Sequence, residues 1–103
     1  MKSVTINNTK YFFKKLTWFD ILGDSTISSE NEFDNMKCAE IITEGYIYDI
    51  FEEDGREFVR TFASYQVKDN EFGFGDRNCY PMEVFNKRSQ KAIREAHRLT
   101  LRG

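Results

Sequence analysis

The chain has 103 residues, a net charge of -2 and 40% hydrophobic residues, and its ten phenylalanines, five tyrosines and one tryptophan supply bulk for a packed interior. A chain of this length is expected to form one domain, over residues 1–103, because two hydrophobic cores would each be too small. No apolar run reaches the roughly 20 residues that cross a bilayer, and residues 1–15 lack the apolar stretch of a secretory signal, so we expect a cytoplasmic protein without a membrane partner.

The first predicted element is a strand over residues 15–22. Its sequence, KLTWFDIL, is rich in residues that favour strands and ends at Gly23 and Asp24, which are typical of a turn. Residues 4–6 and 11–13 contain further strand-forming side chains. They are candidates for an additional short strand before the main one.

A short helix is predicted over residues 30–37. Ser29 and Glu32 match a capping box, in which the serine hydroxyl accepts from a backbone N–H and the glutamate reaches back to the helix start. Phe33 and Met36 are three residues apart and therefore share one side of this helix. We expect that side to be buried.

Residues 38–52 and 56–65 are the two arms of a predicted β-hairpin. They flank Asp54 and Gly55, a pair typical of a tight turn because glycine adopts positive φ at little cost. The length of the turn decides which residues of the two arms lie opposite each other.

Two registers are compatible with this turn. A two-residue turn sets Glu52 opposite Glu57, where like charges repel. A three-residue turn with a bulge pairs Glu52 with Arg56 instead. We favour the second register because it removes the repulsion.

Apolar side chains fall on both faces of the first arm. With regular alternation, Tyr46, Tyr48 and Ile50 point to one face, and Ile47 and Phe51 point to the other. An antiparallel sheet normally leaves one face polar. We therefore expect the rest of the chain to supply a second layer.

The last predicted elements are a strand over residues 71–80, ended by Pro81, and an amphipathic helix over residues 86–102. On a helical wheel one stripe is basic and consists of Lys87, Lys91, Arg94, Arg98 and Arg102. The opposite side carries Ala92, Ile93, Ala96 and Leu99, and is our candidate cover for the sheet. The predicted fold is α+β and mainly β: a strongly bent antiparallel sheet or small barrel with its core in residues 15–85, a short helix after the first strand, and this C-terminal helix.

Side chains suited to catalysis or metal binding are sparse. His97 is the single histidine, and the sequence has no HExxH motif, no paired CxxC motif and no phosphate-binding glycine loop. Cys38 and Cys79 are interpreted as reduced thiols with structural roles. Carboxylates are numerous, but an enzyme would need at least two of them to converge in a cleft. We expect no metal, no cofactor and no enzymatic activity.

Charge is strongly segregated along the chain. Residues 20–76 carry 15 acidic and four basic side chains, whereas residues 77–103 carry seven basic and two acidic ones. The acidic body predicts a protein-binding surface, and the basic helix predicts an alternative function, nucleic-acid binding through its five cations. Self-association of acidic and basic surfaces is a further alternative. The residues expected in the acidic surface are Asp20, Asp24, Glu40, Glu44, Glu52, Glu53 and Asp54, with Tyr46 and Tyr48 as aromatic anchors.

A W-x-D motif at residues 18–20, a T-x-G-Y motif at residues 43–46, the hairpin and Pro81 form a pattern over residues 16–85 that resembles small accessory proteins of bacteriophages and prophages. The resemblance implies a small SH3-like barrel with no assigned chemistry. It also implies a protein that binds and disables host machinery, including defence complexes such as CRISPR effectors. The leading expectation is therefore a non-enzymatic inhibitor in the host cytoplasm that presents its acidic surface to a host protein complex.

Overall fold

Seven strands and two α-helices make up the chain, which a computed structural model describes over all of residues 1–103. The elements in chain order are β1 Ser3–Ile6, β2 Thr9–Asp20, α1 Glu30–Asp34, β3 Ala39–Glu53, β4 Arg56–Phe62, β5 Ser64–Lys68, β6 Glu71–Gly75, β7 Asn78–Pro81, a 3-10 helix at Met82–Val84, and α2 Lys87–Arg102. The molecule measures 59 × 30 × 26 Å and its radius of gyration is 17.1 Å. A compact chain of this length has a radius of about 13 Å, so parts of this one project beyond the core.

All strand pairs are antiparallel. Five strands form one sheet in the order β1-β2-β3-β4-β7, and β5 pairs only with β6. The mainly β fold with a C-terminal helix is confirmed. The sheet is open, with β1 and β7 at its edges, and an isolated bridge between Trp18 and Phe85 does not close it into a barrel. Neither α-helix has the length and the apolar composition needed to span a membrane.

The N-terminal strands form a tight hairpin. Residues 4–6 belong to β1, as predicted, but residues 11–13 are part of the same strand as residues 15–20. Asn7 and Asn8 make the turn between β1 and β2 with φ angles of 49° and 65°. Asparagine tolerates this left-handed region better than most residues, which is why a turn lacking glycine forms here.

The turn between β3 and β4 has two residues, so the register that we favoured is wrong. Asp54 and Gly55 both have positive φ, and Glu52 lies opposite Glu57. Arg94 of α2 donates two hydrogen bonds to the Glu57 carboxylate, at 2.9 and 2.7 Å. This cation, far away in the sequence, offsets the repulsion that the local pattern suggested.

A β-bulge at Tyr48 changes which side chains of β3 share a face. The register shifts between Ile47, which pairs with Thr61, and Asp49, which pairs with Arg60. The extra residue brings Ile47 and Ile50 to the same face, although their spacing of three would separate them in a regular strand. The expected grouping of Ile50 with the tyrosines is therefore wrong.

Both faces of the sheet carry apolar clusters. The cluster under α2 consists of Leu16, Ile47, Val59, Tyr80, Met82, Phe85, Ile93 and Ala96, with Ile50 packed against it. The cluster on the other face consists of Ile6, Tyr11, Tyr46 and Phe62, with Phe74 of β6 packed against it. The expected second layer is thus α2 on one side; on the other side, Phe74 of β6 packs against the cluster to which the edge strand β1 contributes Ile6.

Helix α2 is attached firmly to β2. Asn86 caps its N-terminus by accepting from the Ser89 N–H at 2.8 Å, and the Ser89 hydroxyl accepts from the Thr17 N–H at 2.8 Å. The helix buries Ser89, Ile93, Ala96 and Thr100, while Ala92 and Leu99 of the predicted apolar side are half-buried. Burial of small side chains lets the helix axis lie close to the strands.

The predicted strand over residues 71–80 is divided into β6 and β7. Thr61 pairs with Asn78 and Ser64 pairs with Gly75, so the two ladders keep one register. They form a single long hairpin that is interrupted at Asp76, whose φ is 49°. The outer half of this hairpin, β5 with β6, leaves the sheet and contributes to the elongated shape.

The fully buried position of Ile47 makes it a test of this packing. We expect Ile47→Ala to lower the free energy of unfolding by about 2–4 kcal/mol, because it leaves a cavity between sheet and helix. The matched control is Ile42→Ala in the same strand, 59% exposed, which should cost less than about 1 kcal/mol. Equal losses in urea denaturation would contradict this core.

The pair of Arg94 with Glu57 is testable by a double-mutant cycle with Glu57→Gln and Arg94→Gln. Both groups are partly exposed, so we expect a coupling of about 0.5–1 kcal/mol at low salt. The hydrogen bond from Arg94 lowers the pKa of Glu57, so the pair stabilises the fold at neutral pH and this contribution is lost as the pH falls through the folded-state pKa. A coupling that persists at pH 2 would contradict the assignment.

Candidate functional site

The far end of the β2 and β3 ribbon extends beyond both apolar clusters. We call residues 19–44 the tip: it comprises the end of β2, the connecting segment 21–38 with α1, and the start of β3. At its base, residues 39–44 of β3 pair with residues 15–20 of β2, so Thr43 lies opposite the core residue Leu16 and Glu44 lies opposite Lys15. Strand pairing therefore holds the base of the tip, while the segment beyond it has no sheet partner.

Apolar side chains are concentrated and exposed in the tip. Ile27 is 101% exposed, Ile21 is 88% exposed and Phe33 is 68% exposed. Seven of the thirteen exposed large hydrophobic residues of the chain lie here: Phe19, Ile21, Leu22, Ile27, Phe33, Met36 and Ile42. Scattered exposed apolar residues are normal, but more than half of those in this chain lie in the tip.

The expected burial of Phe33 and Met36 is wrong. Helix α1 spans only five residues, ends three residues before the predicted boundary, and has no buried residue. The Ser29 hydroxyl accepts from the Glu32 N–H at 3.1 Å, as expected for a cap, but the Glu32 carboxylate contacts that hydroxyl and not the backbone. One turn of helix cannot reach back to a core that ends at the base of the tip, so its apolar side faces solvent.

Hydrogen bonds in the connecting segment are local. Asp24 accepts from the backbone N–H and the hydroxyl of Thr26, at 2.9 and 2.7 Å, and these bonds lower the pKa of Asp24. The Asn35 side chain donates to the Asn31 carbonyl at 2.9 Å. Such bonds order short turns without anchoring the segment to the sheet. Local opening of this segment therefore needs no break in the sheet.

The tip is also acidic. It holds seven carboxylates, Asp20, Asp24, Glu30, Glu32, Asp34, Glu40 and Glu44, against one cation, Lys37. None of the seven takes part in an ion pair. Exposed apolar side chains and carboxylates without an ion-pair partner thus occur in the same segment.

The predicted acidic residues fall into two groups. Asp20, Asp24, Glu40 and Glu44 belong to the tip. Glu52, Glu53 and Asp54 lie at the turn between β3 and β4, about 12 residues farther along one strand, which corresponds to roughly 40 Å. The seven predicted carboxylates therefore do not form one continuous acidic surface.

The two predicted aromatic anchors differ. Tyr46 is 7% exposed and lies inside the cluster with Phe62, so it is a core residue. Tyr48 is 36% exposed and its ring stacks on Tyr11 at 5.5 Å. It lines a groove of about 850 Å³ between the sheet and the outer hairpin, together with Arg60, Phe72, Phe74 and Arg77 among others. This groove depends on the bend of the hairpin, and no local motif indicated it.

The basic residues of α2 lie on its outer side. Arg94 is paired with Glu57, whereas Lys87, Lys91, Arg98 and Arg102 are exposed and form no ion pair. His97 is half-buried on the same helix. Cys38 and Cys79 are unpaired and exposed, and no group of three His, Cys, Asp or Glu side chains is arranged to hold a metal ion.

Comparison of the chain with protein-family models, with curated proteins and with solved structures found no match. The resemblance to phage accessory proteins therefore stays a prediction. Any proposal about function must therefore be argued from the surface of the chain. The tip is the region where exposed apolar side chains and unpaired carboxylates occur together.

The local character of the tip predicts fast amide exchange. We expect amides of residues 21–38 to exchange on the order of 100-fold or more faster than those around Ile47 and Ile93, because no other element protects them. Hydrogen exchange followed by mass spectrometry measures this directly. Core-like protection of the segment in the isolated protein would show that the tip is packed.

Proposed function

We propose that the protein is a non-enzymatic binding protein that inhibits a partner complex by docking the tip onto a basic protein surface. The observation that supports this most is the coincidence of seven exposed apolar side chains with seven unpaired carboxylates in one segment. Apolar burial supplies affinity, since about 25 cal/mol is gained per Å² of apolar surface removed from water.

The carboxylates contribute a different property. They accelerate the encounter with a basic partner and disfavour acidic ones, so they select the partner more than they add affinity. Phe33, Ile27 and Ile21 are the expected anchors, because large apolar side chains at the centre of an interface usually carry most of the binding energy.

The class of partner follows from the charge of the tip and from the sequence resemblance. A basic protein surface that normally contacts nucleic acid would accept carboxylates in place of phosphates, and would then be closed to its own ligand. The resemblance to phage accessory proteins favours a host complex of this kind, with defence complexes such as CRISPR effectors among the candidates. Inhibition by occlusion needs contact alone, without turnover.

Charge reversal within the tip tests this function. We expect Asp24→Lys, Asp34→Lys and Glu40→Lys together to weaken partner binding at least about tenfold, because repulsion replaces attraction at a basic surface. Ile27→Ser with Phe33→Ser should weaken it similarly without changing the unfolding midpoint, since both side chains are exposed. Affinity capture from host lysate, followed by titration of the captured complex, provides the measurement.

The matched control reverses Glu52, Glu53 and Asp54 at the distant hairpin turn. It changes the net charge by the same amount as the tip variant but leaves the tip intact. We expect this control to bind like the unaltered protein. The reverse result, with binding lost in the control and kept in the tip variants, would refute docking through the tip.

A further inference from the structure

We propose that the outer face of α2 is a second binding surface, which contacts the phosphate backbone of duplex nucleic acid. This surface lies outside the tip and uses none of its residues. It therefore adds an activity that does not depend on the proposed protein docking.

The geometry of α2 presents its cations as a line. The helix has 16 residues, which corresponds to about 24 Å. Successive members of the stripe are three or four residues apart and lie opposite the buried side that contains Ile93 and Ala96. The stripe consists of Lys87, Lys91, Arg94, Arg98 and Arg102. Each strand of a duplex carries one phosphate per ~3.4 Å of the duplex axis, so α2 is long enough to reach several phosphates.

Most of these cations are available to a ligand. Arg94 is paired with Glu57, and the hydrogen bonds between them raise the pKa of Arg94. Arg94 therefore has a structural role. The other cations of α2, with Arg88 included, form no ion pair, and Glu95 is the single acidic residue of the helix. Five exposed cations on one helix thus lack a partner in the chain.

Strand β2 adds two lysines on the same side of the sheet. Every second residue of a strand points to the same face, so Lys10 and Lys14 share the face of Phe12 and Leu16, which pack into the cluster under α2. Lys10 lies 5.7 Å from the centre of the Phe12 ring. The N-terminus of α2 lies beside Thr17, close to the base of the acidic tip, whereas Arg94, Arg98 and Arg102 line a groove with Ile50 and Glu57, farther from the tip. The C-terminal half of the helix and these lysines are therefore the part of the basic region that is separate from the tip.

The chemistry of the face favours duplex nucleic acid over other anionic partners. The buried core of a protein interface is usually more apolar than the rest of the surface, and Leu101 is the only exposed large apolar residue of α2. Single strands are held largely by stacking of bases on aromatic rings, and α2 has no Phe, Tyr or Trp, its one ring being that of the half-buried His97. A row of cations without apolar or aromatic contacts fits a regular, uniformly charged backbone.

Contacts between α2 and the sheet fix the position of these cations. The cap at Asn86, the bond from Thr17 to Ser89 and the burial of Ile93 and Ala96 fix the helix before any ligand binds. Only the long side chains of the cations remain to be ordered. Lys87, Lys91, Arg98 and Arg102 share one side of the helix, and Arg88 flanks them, about 100° around the axis from Lys87. Binding through phosphates is expected to be independent of base sequence and to depend strongly on salt.

Fluorescence anisotropy with a labelled 20-base-pair duplex of unrelated sequence tests the proposal. With about five phosphate contacts, the slope of log affinity against log salt should be near -4.5, so that affinity falls several hundredfold from about 50 to about 200 mM salt. We expect Lys91→Gln, Arg98→Gln and Arg102→Gln together to reduce the magnitude of this slope by about 3 and to weaken binding at least tenfold at low salt.

The control variant removes three cations elsewhere: Lys15→Gln, Lys37→Gln and Lys68→Gln. Its net charge equals that of the helix variant, and it should bind the duplex within about threefold of the unaltered protein. An equal loss in both variants would overturn the proposal, because net charge alone would then explain binding. Tighter binding of a single strand, or equally tight binding of a polyglutamate peptide, would also overturn it.

The two proposals can be disproved independently of each other. The tip variant Ile27→Ser with Phe33→Ser should retain duplex binding, and the helix variant should retain capture of the protein partner. Loss of duplex binding in the tip variant would show that α2 is not an independent surface.

Discussion

The bulge at Tyr48 is the constraint on which the rest of the structure depends. It brings Ile47 and Ile50 to one face of β3, where they pack under α2 with Leu16 and Val59. In a regular strand one of the two isoleucines would point to the opposite face, and the helix would lose part of its apolar contact. The same extra residue leaves Tyr46 and Tyr48 with the aromatic cluster on the other side.

The core that results is small and central, and this explains the shape of the molecule. Both apolar clusters are built on β2, β3 and β4 and reach from Tyr11 to Leu16 in β2, whereas the tip extends past them. The tip contributes no side chain to either cluster, so its side chains remain exposed to solvent. The exposed apolar side chains of the tip follow from this layout, and the proposed docking rests on them.

Charge follows the same division. Carboxylates near the core are compensated, Glu57 by Arg94, Asp49 by Arg60 and Glu83 by Arg56. The carboxylates of the tip and five cations of α2 are not. The protein is thus nearly neutral as a whole, with a net charge of -2, yet its charges are strongly separated. The tip carboxylates and α2 cations that lack an ion-pair partner are exposed to solvent.

Local chemistry was sufficient to predict several elements. The amphipathic pattern predicted α2, Asp54 with Gly55 predicted the hairpin, and Ser29 predicted the start of α1, because each depends on residues a few positions apart. Pairings between distant residues were not predictable in this way: Arg94 stabilises the register that sequence-local repulsion disfavoured. Only the tertiary structure showed that Phe33 is exposed and that the acidic residues lie in two places, since burial and proximity arise from how far the core extends and not from the pattern of any single segment.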